Sequence, residues 1–202
     1  MGNTIIAATQ NKHKIKEIEA ITSEFGMSII SRDEAGIPKI EIVEDGETFE
    51  ENSYKKAYEI MKLCGRITIA DDSGLVVDCL DGAPGVYSAR FAGEDGNDRA
   101  NNRKLVNLIK DVPYEKRTAR FVSVITMVFS DGEAIVARGE VEGHIVLEER
   151  GANGFGYDPL FVPIGYSKTF GEIEAEIKNK ISHRANALIN LKEQLQKREA
   201  TV

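Results

Sequence analysis

The sequence predicts an α/β protein built on a mixed, strongly twisted β-sheet flanked by helices. Three observations carry that prediction. Short apolar runs alternate with amphipathic helical runs through the first half of the chain. Two long apolar segments, 118–129 and 134–147, then follow one another across Ser130-Asp131-Gly132. No repeat, low-complexity tract or compositional break divides the 202 residues, so a single domain over 1–202 is expected.

Taken in order, residues 4–8 (TIIAA) read as a short buried strand. From Asn11 the pattern turns helical, with Ile15, Ile18, Ile21 and Phe25 recurring every three or four residues until Gly26. A short strand follows near 28–30, and IPKIEIVEDGETFEEN alternates up to Gly46. Thr48 and Glu51 form a capping box that opens a helix to about Leu63, ended by Gly65. A strand at 67–70 leads to Asp71-Asp72, Ser73-Gly74 read as a turn, and 75–79 continues extended. DGAPGVYSARFAGEDGND reads as a loop with one helical turn. A helix is expected from Asp98 to Lys110, and the two long strands after it are apolar on both faces. GANGFGYDP is a Gly-rich loop before a short strand at 160–162. The last helix, about 182–198, has Ser182 as N-cap and carries Ala185, Leu188, Leu191 and Leu195 on one stripe.

The bulk numbers exclude several classes. Net charge is −7, whereas a general nucleic-acid binder shows a basic face, so no nucleic-acid polymer is expected as partner. The apolar runs are too short for a membrane span, and no signal peptide is seen, so the expected location is cytoplasmic. Cys64 and Cys79 form no disulfide framework and read as small buried hydrophobes in a reducing compartment.

Four polar loops at the ends of apolar elements concentrate the chemistry. In TQNKHK, Thr9 to Lys14, a strand meets a helix N-terminus, so backbone N–H groups, the helix dipole and lysine favour an anion. The alternative is that Asn11 only caps the helix. Asp71 and Asp72 are adjacent acids beside apolar runs, where lost hydration costs several kcal/mol unless compensated. A divalent cation such as Mg²⁺, with phosphates behind it, would compensate them. In GFGYDP, Phe155 between two glycines and near Asp158 suits a base-stacking platform, or else a buried ring at a hairpin end. In KNKISHR, His183 and Arg184 start a helix, against the dipole preference, which makes sense if an anion completes the site. His13, His144 and His183 lack metal-type spacing.

T-x-N-x-x-K, ADDSGL followed by GAPGVYSARFAG, GFGYDP and ISHR occur in this order at these separations. On these motifs the sequence resembles the inosine triphosphate pyrophosphatase family (HAM1-like or RdgB-like non-standard purine nucleoside triphosphatases) over about residues 4–195. The resemblance implies an elongated sheet with two lobes around a central cleft, and a homodimer. It implies Mg²⁺-dependent hydrolysis of ITP, dITP and XTP to the monophosphate and pyrophosphate. Carried over by motif, Asp72 is the proton acceptor for the attacking water and a metal ligand, with Asp71 close by. Thr9, Asn11 and Lys14 hold phosphates, with Gln10, Lys12 and His13 in the same turn. Ser73 contacts substrate. Phe155 stacks on the base, and Gly156, Tyr157 and Asp158 line its pocket. Lys178, His183 and Arg184 bind base or phosphate. Many members carry two consecutive acids before the glycine that precedes T-F-x-E-N; here those places read Val43-Glu44, followed by Asp45, and Glu44 is the candidate third metal ligand. A nucleotide sensor without turnover, or a hydrolase of modified pyrimidine nucleotides, would use similar loops.

Overall fold

The computed structural model describes residues 4–200 apart from 10, 24, 25 and 95. Gln10 and Phe25 therefore lie outside the described residues. The strands are β1 (Thr4–Ala7), β2 (Ser28–Ser31), β3 (Thr68–Val77), β4 (Thr118–Val128), β5 (Ala134–Ile145) and β6 (Phe161–Pro163). The helices are α1 (Lys12–Ser23), α2 (Phe49–Cys64), α3 (Asp98–Ile109), α4 (Ala175–Ile181) and α5 (His183–Glu199). The strand order is β2-β1-β3-β4-β5-β6. β1 pairs in parallel with β2 and β3, and β5 pairs antiparallel with β6, so the sheet is mixed as expected.

The chain divides into two compact units: Met1–Asp72, Ser123–Gly139 and Arg184–Val202 in the first, Ser73–Val122 and Glu140–His183 in the second. In the first unit, the two-residue period of the strands sorts side chains onto two faces. Ile5, Ala7, Ile69, Ile125 and Met127 pack with Ile18 and Ile21 of α1 and with Ala185, Leu188 and Leu191 of α5. Their neighbours Ile6, Ala8, Ala70 and Val128 pack instead with Ala57, Ile60 and Met61 of α2. Helices pack on both sides of β4 here, which explains why that strand is largely apolar on both faces.

α2 ends where its signals say. Thr48 Oγ1 accepts from Glu51 N–H at 3.1 Å, Glu51 reaches back to Thr48 N–H at 3.2 Å, and Gly65 closes the helix in the left-handed region.

The second unit has its own core: Leu75 and Val77 of β3, Leu105 and Ile109 of α3, and Phe121, Phe161 and Phe170. Gly85–Arg90 forms the expected helical turn, of the tighter 3-10 kind. Ser88 Oγ accepts from Leu75 N–H at 2.9 Å and donates to Gly85 O at 2.6 Å, stitching this turn to β3.

Four expectations change. Residues 68–77 form one strand without a turn at Ser73-Gly74. Gly74 is needed for another reason: a Cβ there would run into Gly85 O and Ser88 Oγ. The alternating stretch 37–46 joins no strand; Arg32 Nη2 instead donates to Pro38 O and Ile40 O. KNKISHR is not a loop but the junction of two helices, with Ser182 N–H closing α4 on Lys178 O at 2.9 Å before α5 starts. Cys79 is exposed and Cys64 half-buried, so neither is a core residue.

Candidate active site

Because β3 runs straight through Asp71 and Asp72, its alternation sends the two carboxylates to opposite faces. Asp71 follows Ile69 onto the side of α1 and α5; Asp72 follows Ala70 onto the side of α2. Both are buried, at 1% and 5% exposure. Each carboxylate bonds directly to different cations, so the two adjacent acids sit in different environments.

On the first face, Asp71 Oδ1 accepts from Ser123 Oγ at 2.6 Å. Its Oδ2 accepts from Lys14 Nζ at 2.7 Å and from Arg184 Nη2 at 3.2 Å. Arg184 also pairs with Glu17 of α1. Its side chain is completely buried, so the guanidinium acts on these two acids from inside the protein. Burial pushes the Asp71 carboxyl up, but Arg184 and Lys14, with the hydrogen bonds from Lys14 and Ser123, hold it well below the usual carboxylate range. Burial likewise opposes charge on Arg184, and Asp71 and Glu17 outweigh it, raising the guanidinium above its ordinary value. Asp71 is thus a permanent anion with both oxygens occupied.

On the second face, Lys56 of α2 lies 2.7 Å from Asp72 Oδ1 and 3.2 Å from a Glu44 oxygen. Asp72 Oδ2 is buried and has no hydrogen-bond partner among the described residues. Burial raises the Asp72 carboxyl, Lys56 and Lys14 pull it back, and the negative charge of Glu44 pushes it up again; the net direction is up. Burial lowers the Lys56 ammonium, but Asp72 and Glu44 outweigh that and keep it protonated. This is the profile of a carboxylate that can exchange a proton, beside one that cannot. Asp72 Oδ2 and the partly exposed Glu44 are hard oxygen donors of the kind Mg²⁺ takes. Asp71 offers no free lone pair of comparable access. Among the described residues no three acidic, His or Cys side chains converge as a preformed metal cage, so such an ion would keep water or substrate oxygens as its remaining ligands.

The turn before α1 is well defined. Asn11 Oδ1 accepts from the N–H groups of His13 and Lys14 at 2.9 and 3.2 Å, which is helix capping. Thr9 Oγ1 accepts from Asn11 N–H at 3.1 Å. Lys12 and His13 are exposed on the first helical turn, while Lys14 turns inward to Asp71.

In the second unit the Gly154–Asp158 loop is pinned from several sides. Asp158, buried, accepts from Phe155 N–H at 2.8 Å and from Lys178 Nζ of α4 at 2.7 Å, both on Oδ2. Gly154 has φ +75°, and a Cβ there would collide with that same carboxylate. Lys178 Nζ also stands 5.1 Å from the centre of the half-buried Phe155 ring. Tyr157 OH donates to Ser88 O at 2.8 Å, and burial, then the charge of Asp98, raises its phenol. His183 is buried with its ring stacked on Phe121, centroids 4.8 Å apart. Ser73, half-buried, begins this unit.

Sequence reading missed Lys56, Ser123 and Glu17. A mid-helix lysine, a strand serine and a helix glutamate carry no motif. Counting along β3 and β4 finds one of them: Ser123 shares a face with Ile125 and Met127, which is the Asp71 face.

The Ham1 family model matches residues 5–194. A dITP/XTP pyrophosphatase of Clostridium perfringens is 52% identical, covering 94% of this chain and 96% of its own. One from Geobacter sulfurreducens is 46% identical, covering 95% and 96%. Among solved structures, the Ham1 protein of Staphylococcus aureus has a TM-score of 0.84 at 40% identity, covering 96% of this chain and 99% of its own. A HAM1 protein from Coxiella burnetii gives 0.84 at 36%, covering 96% and 98%.

Proposed function

Since the chain belongs to the Ham1 family, we propose that it hydrolyses the non-standard purine nucleoside triphosphates ITP, dITP and XTP to the monophosphate and pyrophosphate. One observation carries the reading. Asp72 is a buried carboxylate with one oxygen held by Lys56, the other without a partner among the described residues, and its proton affinity raised. A group so placed can accept a proton from water.

The first unit handles the triphosphate. Asp72 and Glu44 would hold Mg²⁺, which would supply charge neutralisation and Lewis-acid polarisation to the phosphates. Asp72 takes a proton from the attacking water. The new P–O bond forms at the α-phosphorus, the bond to the bridging oxygen breaks, and pyrophosphate leaves. Lys14 and the donors of the Thr9–Lys14 turn stabilise the leaving group. Asp71 serves as the anchor that, with Arg184 behind it, keeps Lys14 in place.

The second unit handles the base. Phe155 supplies the stacking face, and the Lys178 ammonium beside that ring donates to the 6-oxo oxygen that inosine and xanthine bases carry and adenine lacks. Gly156, Tyr157 and Asp158 shape the loop, and Ser73 and His183 complete the contacts. A cytoplasmic homodimer fits the family resemblance; no helix among the described residues is long and apolar enough to cross a membrane.

Pyrophosphate release from ITP, XTP, GTP, ATP and dTTP, with Mg²⁺ and with EDTA added, tests the reading. Release from ITP and XTP that EDTA abolishes supports it. Equal release from all five overturns the base assignment, and ligand binding with no release from any makes the protein a sensor.

A further inference from the structure

Phe155 is half-buried and lines a pocket of about 440 Å³, shared with Asp98, Arg99, Asn102 and Asn153. A ring with space beside it is not fixed by close packing alone. The backbone that carries it, together with the Lys178 ammonium 5.1 Å from its centre, sets where it stands. The peptide groups on either side of Phe155 are accounted for. Phe155 N–H is tied to Asp158. The next residue, Gly156, has φ +61° and no side chain to hold it, yet both of its backbone polar groups are gripped by one helix. Gly156 N–H donates to Asp98 Oδ2 at 2.7 Å, and Gly156 O accepts from Asn102 Nδ2 at 3.2 Å.

Asp98 and Asn102 are four residues apart on α3, so they present to the same side of the helix. Asn102 is 3% exposed, and its Oδ1 has no hydrogen-bond partner among the described residues. A buried amide that leaves one end unsatisfied is costly, so the bond at its other end matters. The Asp98 bond is to an ionised acceptor, the stronger kind.

We infer that Asp98 and Asn102 are positioning residues: a two-point clamp from α3 onto the Gly156 peptide that sets where the Phe155 ring stands. This rests on the reading of Phe155 as the base-stacking face. The clamp acts through the loop backbone and touches no reacting atom, so its loss affects recognition of the base rather than the chemical step.

The 202-residue chain contains no tryptophan, which makes Phe155→Trp a single-site reporter. Asp98→Ala in that background lowers the anisotropy of the tryptophan emission, and Asp98→Asn, which keeps an oxygen acceptor, restores much of it. Asp98→Ala in the otherwise unchanged chain raises KM for ITP about tenfold, with kcat held within about twofold. Asn102→Asp, which sets a carboxylate against Gly156 O, does the same. Unchanged anisotropy together with unchanged KM overturns the clamp. A lower melting temperature alone, without either change, makes Asp98 a helix-terminus acid and also overturns it. Phe155→Ala separates the two layers: if it leaves KM for ITP unaltered, the stacking reading falls and the clamp with it, whereas a raised KM there beside inert Asp98 and Asn102 variants overturns the clamp only.

Discussion

The acid cluster of the first unit and the glycine-rich loop of the second each contain a buried carboxylate paired with a buried lysine, but they are held in opposite ways. Around Asp71 and Asp72 the contacts run from side chain to side chain, and the partners come from positions 14, 44, 56, 123 and 184. Around Phe155 the contacts run to backbone groups, from Asp158, Asp98 and Asn102. The first arrangement tunes charge. Two neighbouring carboxylates end with opposite shifts because one strand aims them at different cations. The second fixes a shape, and the buried Lys178–Asp158 ion pair braces the loop.

The largest expected effect sharpens that contrast. Asp72→Asn keeps shape and removes the proton acceptor, so turnover of ITP falls by at least about a hundredfold while the circular dichroism spectrum is unchanged. Near-normal turnover would remove the distinction between the two acids.

Stability comes next. Arg184→Met leaves a buried acid cluster short of its main cation and costs about 3–5 kcal/mol in denaturant unfolding. Lys178→Met costs less, about 2–3 kcal/mol, because Asp158 keeps the Phe155 N–H. A reversed order would mean that the loop, and not the acid cluster, is the electrostatic centre.

A pH series separates the acids further. Folding depresses Asp71, so its contribution is fully present above about pH 4 and is lost as pH falls through the depressed value. The difference in melting temperature between the wild type and Asp71→Asn therefore narrows on acidification. A difference that is flat with pH contradicts the network drawn around Asp71.

Thr48→Ala gives the smallest effect. It removes one capping hydrogen bond at the start of α2 and costs about 1 kcal/mol in denaturant unfolding.

Much of the second region was legible in the sequence because its signals are local. Gly154, Phe155, Gly156 and Asp158 lie within five residues, and the Phe155 N–H to Asp158 bond that folds the loop falls in that range. Helix α2 was legible for the same reason, since Thr48, Glu51 and Gly65 mark its ends. The acid pair was legible as a problem, but the side chains around it were not: Lys14, Arg184, Ser123 and Lys56 bond to the two carboxylates. Lys56 and Ser123 carry no motif; strand register puts Ser123 on the Asp71 face, and the packing of α2 puts Lys56 on the Asp72 face. Reading Ser73-Gly74 as a turn hid that register, because Gly74 serves close packing against Gly85 and Ser88 and leaves the strand intact. Helix α4 was missed because its seven residues are mostly polar and show no stripe.

The division of labour between the two regions is tested most directly by measuring, for Asp72→Asn and Phe155→Ala, both the single-turnover rate at saturating ITP and the affinity for ITP. The account predicts a crossed result: Asp72→Asn loses rate and keeps affinity, while Phe155→Ala loses affinity and keeps most of its rate. Loss of the same quantity in both variants would contradict it.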